Sequence, residues 1–385
     1  MRKICVVVTA RPSYSRVKTT LYEIKNNPKL KLQLVISGSA LLDKYGSVVD
    51  TIIEDGFSPD ELVHVVVEGS NLLTTAKSTG LGIMELSSIF SRLKPDVVVS
   101  IADRYETIAT AIAASYSNIP LAHIQGGEVT GSIDEKVRHA VSKLADIHFV
   151  SNQDSFDRLE KMGEDKEKIF ITGCPSIDIA RNVKSQSYKD FNPFLHYTGL
   201  GNKFDIHEDY FILMQHPVTT DFKNSKFQIF ESLKAIETLD RPTFIFWPNV
   251  DTGSDIISKE LRIFQQLVFK NNLPIYFFKN LNPEDFLKLL INSKCLIGNS
   301  SAGIRECSYL GVPVVNIGNR QVRRLRAENV IDVNYNKNSI INAINKQSKI
   351  DYYNSSNLYG DGQSGKKISD ILVGTTLTVE KIISY

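Results

Sequence analysis

Short apolar, β-branched runs recur along the first half of the chain: Ile4–Val8, Leu32–Ser37, Leu62–Val67, Val97–Ile101, Pro120–Ile124, Ile147–Val150 and Ile169–Thr172. The runs are continuous rather than alternating, and helical segments separate several of them. Strands buried on both faces read this way, so the pattern predicts a parallel sheet in an α/β layer fold. One intervening helix, Thr107 to Ser117, is built of small residues and can pack closely on such a sheet. From 181 to 208 the chain turns polar and aromatic without a period, which predicts an irregular connection. A second series follows: Tyr210–Met214, Thr243–Phe246, Ile275–Phe278, Cys295–Ile297 and Val314–Ile317. Two series of similar size imply two Rossmann-like domains with parallel sheets facing a central cleft. The expected division is 1–180 for the first and 209–365 for the second, with an amphipathic last segment, 366–385, crossing back to the first.

Composition narrows the function classes. A chain of 385 residues has room for roughly two domains, and 42% hydrophobic with 23% charged residues is ordinary for a soluble globular protein. A net charge of +2 gives no concentrated basic surface, so neither nucleic acid nor a membrane is expected as a partner. No apolar run approaches the ~20 residues of a membrane span. Met1-Arg2-Lys3 has the charged start of a signal peptide, but the apolar run after it is short and meets Thr9-Ala10-Arg11-Pro12, so it reads as a first buried strand. Cys5, Cys174, Cys295 and Cys307 lie far apart with no Cys-x-x-Cys pair, which favours buried thiols in a reducing, cytoplasmic setting over a metal site.

Ligands of open α/β sheets bind outside the carboxyl ends of strands, so strand-end side chains are the candidates for chemistry. The richest end is His123-Ile124-Gln125-Gly126-Gly127-Glu128, followed by Asp134, Glu135, Arg138 and His139. Taken alone, it is equally a polar loop before a solvated helix start. Val8 leads into Thr9-Ala10-Arg11-Pro12-Ser13-Tyr14-Ser15-Arg16, where helix N–H groups and arginine forks suit an anion. Without Gly-x-Gly-x-x-Gly it is not a dinucleotide fingerprint, and a surface arginine in a turn is the alternative. Val97–Ile101 ends in Ala102-Asp103-Arg104, charges that need a partner or a ligand on leaving a buried strand.

The second series repeats the theme. Gln215-His216-Pro217-Val218-Thr219-Thr220-Asp221 puts a histidine at a strand end, fit to donate to phosphate or to act as an acid, or else satisfied locally. Phe246-Trp247-Pro248-Asn249-Val250-Asp251 again gives strand, proline, amide and acid. The most specific stretch is Gly298-Asn299-Ser300-Ser301-Ala302-Gly303-Ile304-Arg305-Glu306. Backbone and hydroxyl donors opening a helix can hold a pyrophosphate, and Glu306 a turn further in can accept from ribose hydroxyls. Serines at a helix start are also ordinary caps. Asn316-Ile317-Gly318-Asn319-Arg320 adds a cation.

Together these motifs resemble the hydrolysing UDP-N-acetylglucosamine 2-epimerases, including the epimerase half of the vertebrate bifunctional sialic-acid enzyme. The resemblance runs from Arg11 to Tyr359-Gly360-Asp361-Gly362 and rests on Asp103-Arg104, the Gly-Gly-Glu with Ile133-Asp134 and Arg138-His139, the Gln215–Asp221 and Pro248–Asp251 stretches, and Gly298-Asn299-Ser300-Ser301. It implies a glycosyltransferase-B-like pair of domains. It also implies conversion of UDP-GlcNAc and water into N-acetylmannosamine and UDP through a 2-acetamidoglucal, feeding sialic-acid-type sugar biosynthesis. The family's nucleotide contacts carry over to Arg11, Ser15, Arg104, His216, Asn249, Ser300, Ser301, Glu306 and Arg320. Its acid and base contacts carry over to Asp103, Glu128 and Asp134, with His216 a donor to the diphosphate or its acid. The scheme requires no metal and no cofactor, and relatives are commonly dimers or tetramers, so a homodimer or homotetramer is expected.

Two positions depart from the family pattern. Ser13 stands where the family often has an acid, and Gln125 stands before the Gly-Gly pair where many relatives carry Glu or His. An amide takes up no proton at neutral pH, so Gln125 is excluded as a base. Three other readings stay open: a glycosyltransferase of the same architecture, a non-catalytic nucleotide-sugar binder, and a hydrolysing epimerase acting on a UDP-2,4-diacetamido-2,4,6-trideoxy sugar.

Overall fold

In the computed structural model, which describes residues 1–42, 48–69, 72–130, 134–186, 188, 190–248 and 253–383, fourteen strands form two sheets. The first sheet contains β1 (Arg2–Val8), β2 (Leu30–Ser37), β3 (Glu61–Val63), β4 (Val97–Ile101), β5 (Leu121–Ile124), β6 (Ile147–Val150) and β7 (Ile169–Ile171). Their order is β3-β2-β1-β4-β5-β6-β7, and every pairing is parallel. The unbroken apolar reading of β1 has a direct cause. Ile4, Val6 and Val8 face one layer together with Ile368 and Leu372, while Cys5 and Val7 face the other with Leu86, Ile89 and Phe90. Each such side chain contributes about 1.5–3 kcal/mol by leaving water, so both faces are strongly driven to be covered.

The second sheet contains β8 (Gly199–Gly201), β9 (Phe211–Met214), β10 (Thr243–Phe246), β11 (Ile275–Phe278), β12 (Cys295–Gly298), β13 (Val314–Ile317) and β14 (Val330–Val333). Its order is β14-β13-β12-β9-β10-β11-β8, parallel throughout except for β8, which runs antiparallel on β11. Two strands differ from the sequence expectation. β8 lies inside the stretch expected to be irregular, and its Gly-Leu-Gly joins mainly through its backbone, with Gly199 N also donating to the Tyr276 hydroxyl at 3.1 Å and Leu200 60% exposed. β14 is an edge strand with one side open, so its short Val-Ile-Asp-Val lacks the continuous apolar character of a central strand. The expected small-residue helix forms as Tyr105–Tyr116, and it packs on the helix Leu72–Leu93 with Gly82 against Ala109.

The chain divides into two compact units. The first comprises Met1–Val129, Ile133–Ile179 and Tyr359–Tyr385; the second comprises Thr130–Ser132 and Ala180–Leu358. Within the first unit, the helix Ser364–Gly374 packs on the helix Lys18–Asn26. Gln363 gives that helix no side-chain cap, and the buried Asp178 takes over the task. Its carboxylate accepts the N–H groups of Ser364 and Gly365, each at 2.8 Å, and the Thr19 hydroxyl at 2.8 Å. Further on, Lys381 reaches the buried Glu164 at 2.6 Å, beside Lys143 at 2.6 Å and His148 Nε2 at 2.9 Å. No helix among the described residues is long and apolar enough to cross a membrane.

Candidate active site

Strand order tells where each sheet opens. In the first, neighbours run outward in opposite directions from β1 and β4; in the second, from β9 and β12. Such reversal points leave a crevice at the carboxyl ends, where ligands of doubly wound sheets bind. β1 ends at the Arg11–Ser15 segment and β4 at Asp103-Arg104, while β9 ends at Gln215-His216 and β12 at Asn299-Ser300-Ser301. Arg11, Ser15, Asp103, Arg104, His216, Ser300 and Ser301 therefore stand at the reversal points of their own sheets, while Glu128 follows β5 and Arg320 follows β13, one strand further out.

In the first unit, Ala102 adopts a left-handed φ of 63°, which turns Asp103 out of the strand line. Two bonds hold Ala102: its N–H donates to Ile124 O at 3.0 Å, and its carbonyl accepts from His123 Nε2 at 2.8 Å. Burial pushes the His123 pKa down to about 3, so the ring is neutral, carries its proton on Nε2 and accepts from Ser142 Oγ at 3.1 Å. Asp103 forms an ion pair with the buried Arg138 and lies 4.0 Å from Arg16. Arg138 also donates to the carbonyl of Glu128 at 2.9 Å, so one guanidinium joins two strand-end loops. The Glu128 side chain is buried and accepts from Ser151 Oγ at 2.8 Å.

Gly127 fixes this loop. Its φ is 72°, and an added Cβ would stand 2.3 Å from Ser155 O. Gln125 is also left-handed, with φ 67°, and its amide donates to Cys174 Sγ at 2.8 Å. Arg104 pairs with Glu106 at 3.2 Å, and Ser15 donates its hydroxyl to Pro12 O at 3.1 Å. Arg11 opens the short helix Arg11–Ser15. Asp134 is the first residue of the helix Asp134–Leu144 that carries Arg138. Its side chain, and the whole of Asn249, lie outside the described residues.

In the second unit, His216 is buried, and its backbone is held by Asn299 from the next strand end. Ser300 caps the helix Ser301–Ile304, accepting from Ala302 N at 3.3 Å. That helix differs from expectation, since it stops after four residues at Arg305 and a second segment starts at Glu306. A helix of one turn has little dipole, so hydroxyls, backbone N–H groups and neighbouring cations must supply most of any anion stabilisation. Arg320 supplies one cation and donates to Asn299 O at 3.2 Å. Glu306 Oε2 is buried without a hydrogen-bond partner among the described residues, an acceptor suited to a ligand hydroxyl. Arg138, Ser151 and Asn299 were not among the expected contact residues, although Arg138 and Asn299 stand inside the quoted motifs.

The family model described as UDP-N-acetylglucosamine 2-epimerase matches residues 22–373. The chain belongs to this family. An epimerase-family protein of Legionella pneumophila named UDP-N,N'-diacetylbacillosamine 2-epimerase (hydrolyzing) is 33% identical over 97% of this chain and 96% of its own length. A UDP-N-acetylglucosamine 2-epimerase of Neisseria meningitidis is 30% identical over 94% of this chain and 92% of its own. The crystal structure of a UDP-GlcNAc 2-epimerase from Neisseria meningitidis bound to UDP-GlcNAc matches with a TM-score of 0.79 at 18% identity, covering 97% of this chain and all of that one. This epimerase-family chain thus has the glycosyltransferase-B-like α/β fold, with two largely parallel sheets.

Proposed function

We propose that this chain is a hydrolysing 2-epimerase that turns UDP-GlcNAc and water into N-acetylmannosamine and UDP. The observation that carries the reading is the sorting of the strand-end groups. Asp103 and Glu128, tied together through Arg138, follow β4 and β5 of the first sheet, where Arg11, Ser15 and Arg104 also stand, while His216, Ser300, Ser301 and Arg320 follow β9, β12 and β13 of the second. The carboxylates suit proton transfer at a sugar ring, and the cations, hydroxyls and His216 suit a leaving diphosphate. The 2-epimerase family membership supports the same chemistry.

C2–H of the sugar has no adjacent carbonyl to acidify it. As the C1–O bond breaks, its electron pair leaves with UDP and the ring gains oxocarbenium character. The C2 proton then passes to a carboxylate, and its bonding pair becomes the C1=C2 double bond of 2-acetamidoglucal. Water adds back, its oxygen to C1 and a proton to the opposite face of C2. Asp103 and Glu128 are the proposed transfer groups, with Asp134 as a third. Arg138 steadies the negative charge at Asp103 and aims it. Gln125 spends its amide on Cys174 and takes no part in proton transfer. Arg11, Ser15, Arg104, His216, Asn249, Ser300, Ser301, Glu306 and Arg320 are the proposed contacts to UDP.

Magnitudes require these groups to cooperate. A charge-assisted hydrogen bond contributes about 1.5–3 kcal/mol. A positioned acid or base contributes about 3–5 kcal/mol, against about 8–23 kcal/mol for enzymes in general. Stabilising the departing diphosphate and moving the C2 proton are therefore both needed.

A second reading, action on a UDP-2,4-diacetamido-2,4,6-trideoxy sugar, is favoured by the names of two relatives that are each 33% identical. The test is product NMR on both substrates side by side without any acceptor. Free N-acetylmannosamine and UDP from UDP-GlcNAc support the first reading, and turnover of the diacetamido sugar alone supports the second. Saturable UDP binding with turnover of neither rejects both.

A further inference from the structure

Asn299 has no role in the scheme above, yet it is fully buried at the opening of the second sheet. Its side chain makes a two-point contact with the His216 backbone. Oδ1 accepts the His216 N–H at 2.7 Å, and Nδ2 donates to the His216 carbonyl at 2.8 Å. Its own N–H donates to Met214 O at 3.1 Å. Its carbonyl accepts from Arg320 Nη1 at 3.2 Å and from Gln321 Nε2 at 2.9 Å. One residue therefore bonds the loops that follow β9, β12 and β13, and each of those loops carries a proposed diphosphate contact. Gly298 removes the slack beside it, with a φ of 127° and space for no Cβ, which would stand 2.1 Å from Met214 O.

The side-chain chemistry of this position is restrictive. Holding a backbone N–H and its own C=O at once takes one donor and one acceptor on a short planar group, which an amide has. Aspartate lacks the donor, and leucine lacks both. The two halves of the contact also act differently on the neighbours. On the Asn299 side it is the side chain that bonds His216, whereas Arg320 and Gln321 are bonded to the main-chain carbonyl, which any residue at 299 retains.

We propose that Asn299 is a positioning residue of the diphosphate site, acting on UDP through His216 by fixing the loop that presents it. The proposal rests on the reading of the second unit as the UDP site. It makes a specific claim about coupling: the side chain of Asn299 matters to UDP binding only while His216 is present, and matters equally with or without the Arg320 side chain.

The experiment is a set of double-mutant cycles read by calorimetric UDP binding, with melting temperature recorded for each protein. Asn299→Leu is expected to weaken UDP about tenfold or more, the scale of one lost charge-assisted contact. In a His216→Ala background the same substitution is expected to change UDP affinity by less than about twofold, while its effect on melting temperature stays the same size. In an Arg320→Ala background the full loss is expected again. If Asn299→Leu does not fold, Asn299→Ala enters the same cycles. An undiminished affinity loss in the His216→Ala background, or no loss in the single variant, overturns the positioning role. UDP binding unchanged in both His216→Ala and Arg320→Ala overturns the UDP-site reading itself, and the proposal with it.

Discussion

His123 is fully buried, and burial holds its imidazole neutral with a pKa pushed down to about 3. It therefore adds no limb to a pH–rate profile near neutrality, and its contribution is a fixed hydrogen bond to the Ala102 carbonyl. His123→Phe removes that bond and the acceptor for Ser142. It is expected to lower kcat by about 10²-fold through misplacement of Asp103, with UDP affinity little changed, a split that steady-state kinetics and UDP titration would read directly. Asp103→Asn removes a proposed proton-transfer group while keeping the shape. It is expected to cost about 10²–10⁴ in turnover with UDP still bound. Weakened UDP binding with intact turnover would overturn its role.

At the scale of elements, the C-terminal return of the first unit hangs on buried polar anchors. Burial alone would raise the Glu164 pKa, but hydrogen bonds from His148, Lys143 and Lys381 outweigh it and bring the value from 4.5 down to about 2. A carboxylate with a depressed folded-state pKa stabilises the fold above its ordinary value and loses that contribution as the pH falls. Glu164→Gln is thus expected to cost about 1–3 kcal/mol at neutral pH in denaturant unfolding. The gap to the parent protein should close between pH 4.5 and about 2, the two values that bound the shift. A gap that stays constant through that window would remove Glu164 as its source.

The same scale separates what was legible in the sequence from what was not. Central strands such as Val97–Ile101, Ile147–Val150, Thr243–Phe246 and Ile275–Phe278 form at the expected residues, because burial on both faces writes a continuous apolar run. β8 and β14 went unread because edge strands are held by backbone bonds and one covered side. The candidate groups stand out in the sequence as strand-end clusters, but their pairing does not. Nothing in the spacing of Asp103 and Arg138 specifies their ion pair, and the contact of Asn299 with a backbone leaves no mark on the residue it holds. Amide chemistry alone excludes Gln125 as a base, while its bond to Cys174 requires the fold to bring the loops after β5 and β7 together.

For the whole molecule, the proposed labour divides by chemistry, with carboxylates of the first unit moving protons at the sugar and cations, hydroxyls and His216 at strand ends of both sheets holding the charge on the nucleotide. Neither set of groups has meaning for an elimination and hydration without the other. The most direct measurement is NMR of the reaction of the full chain with UDP-GlcNAc in heavy water, without an acceptor. The account predicts free UDP and N-acetylmannosamine carrying one solvent-derived deuterium at C2. Product with only hydrogen at C2, or a 2-epimerised sugar still linked to UDP as the end product, would contradict it.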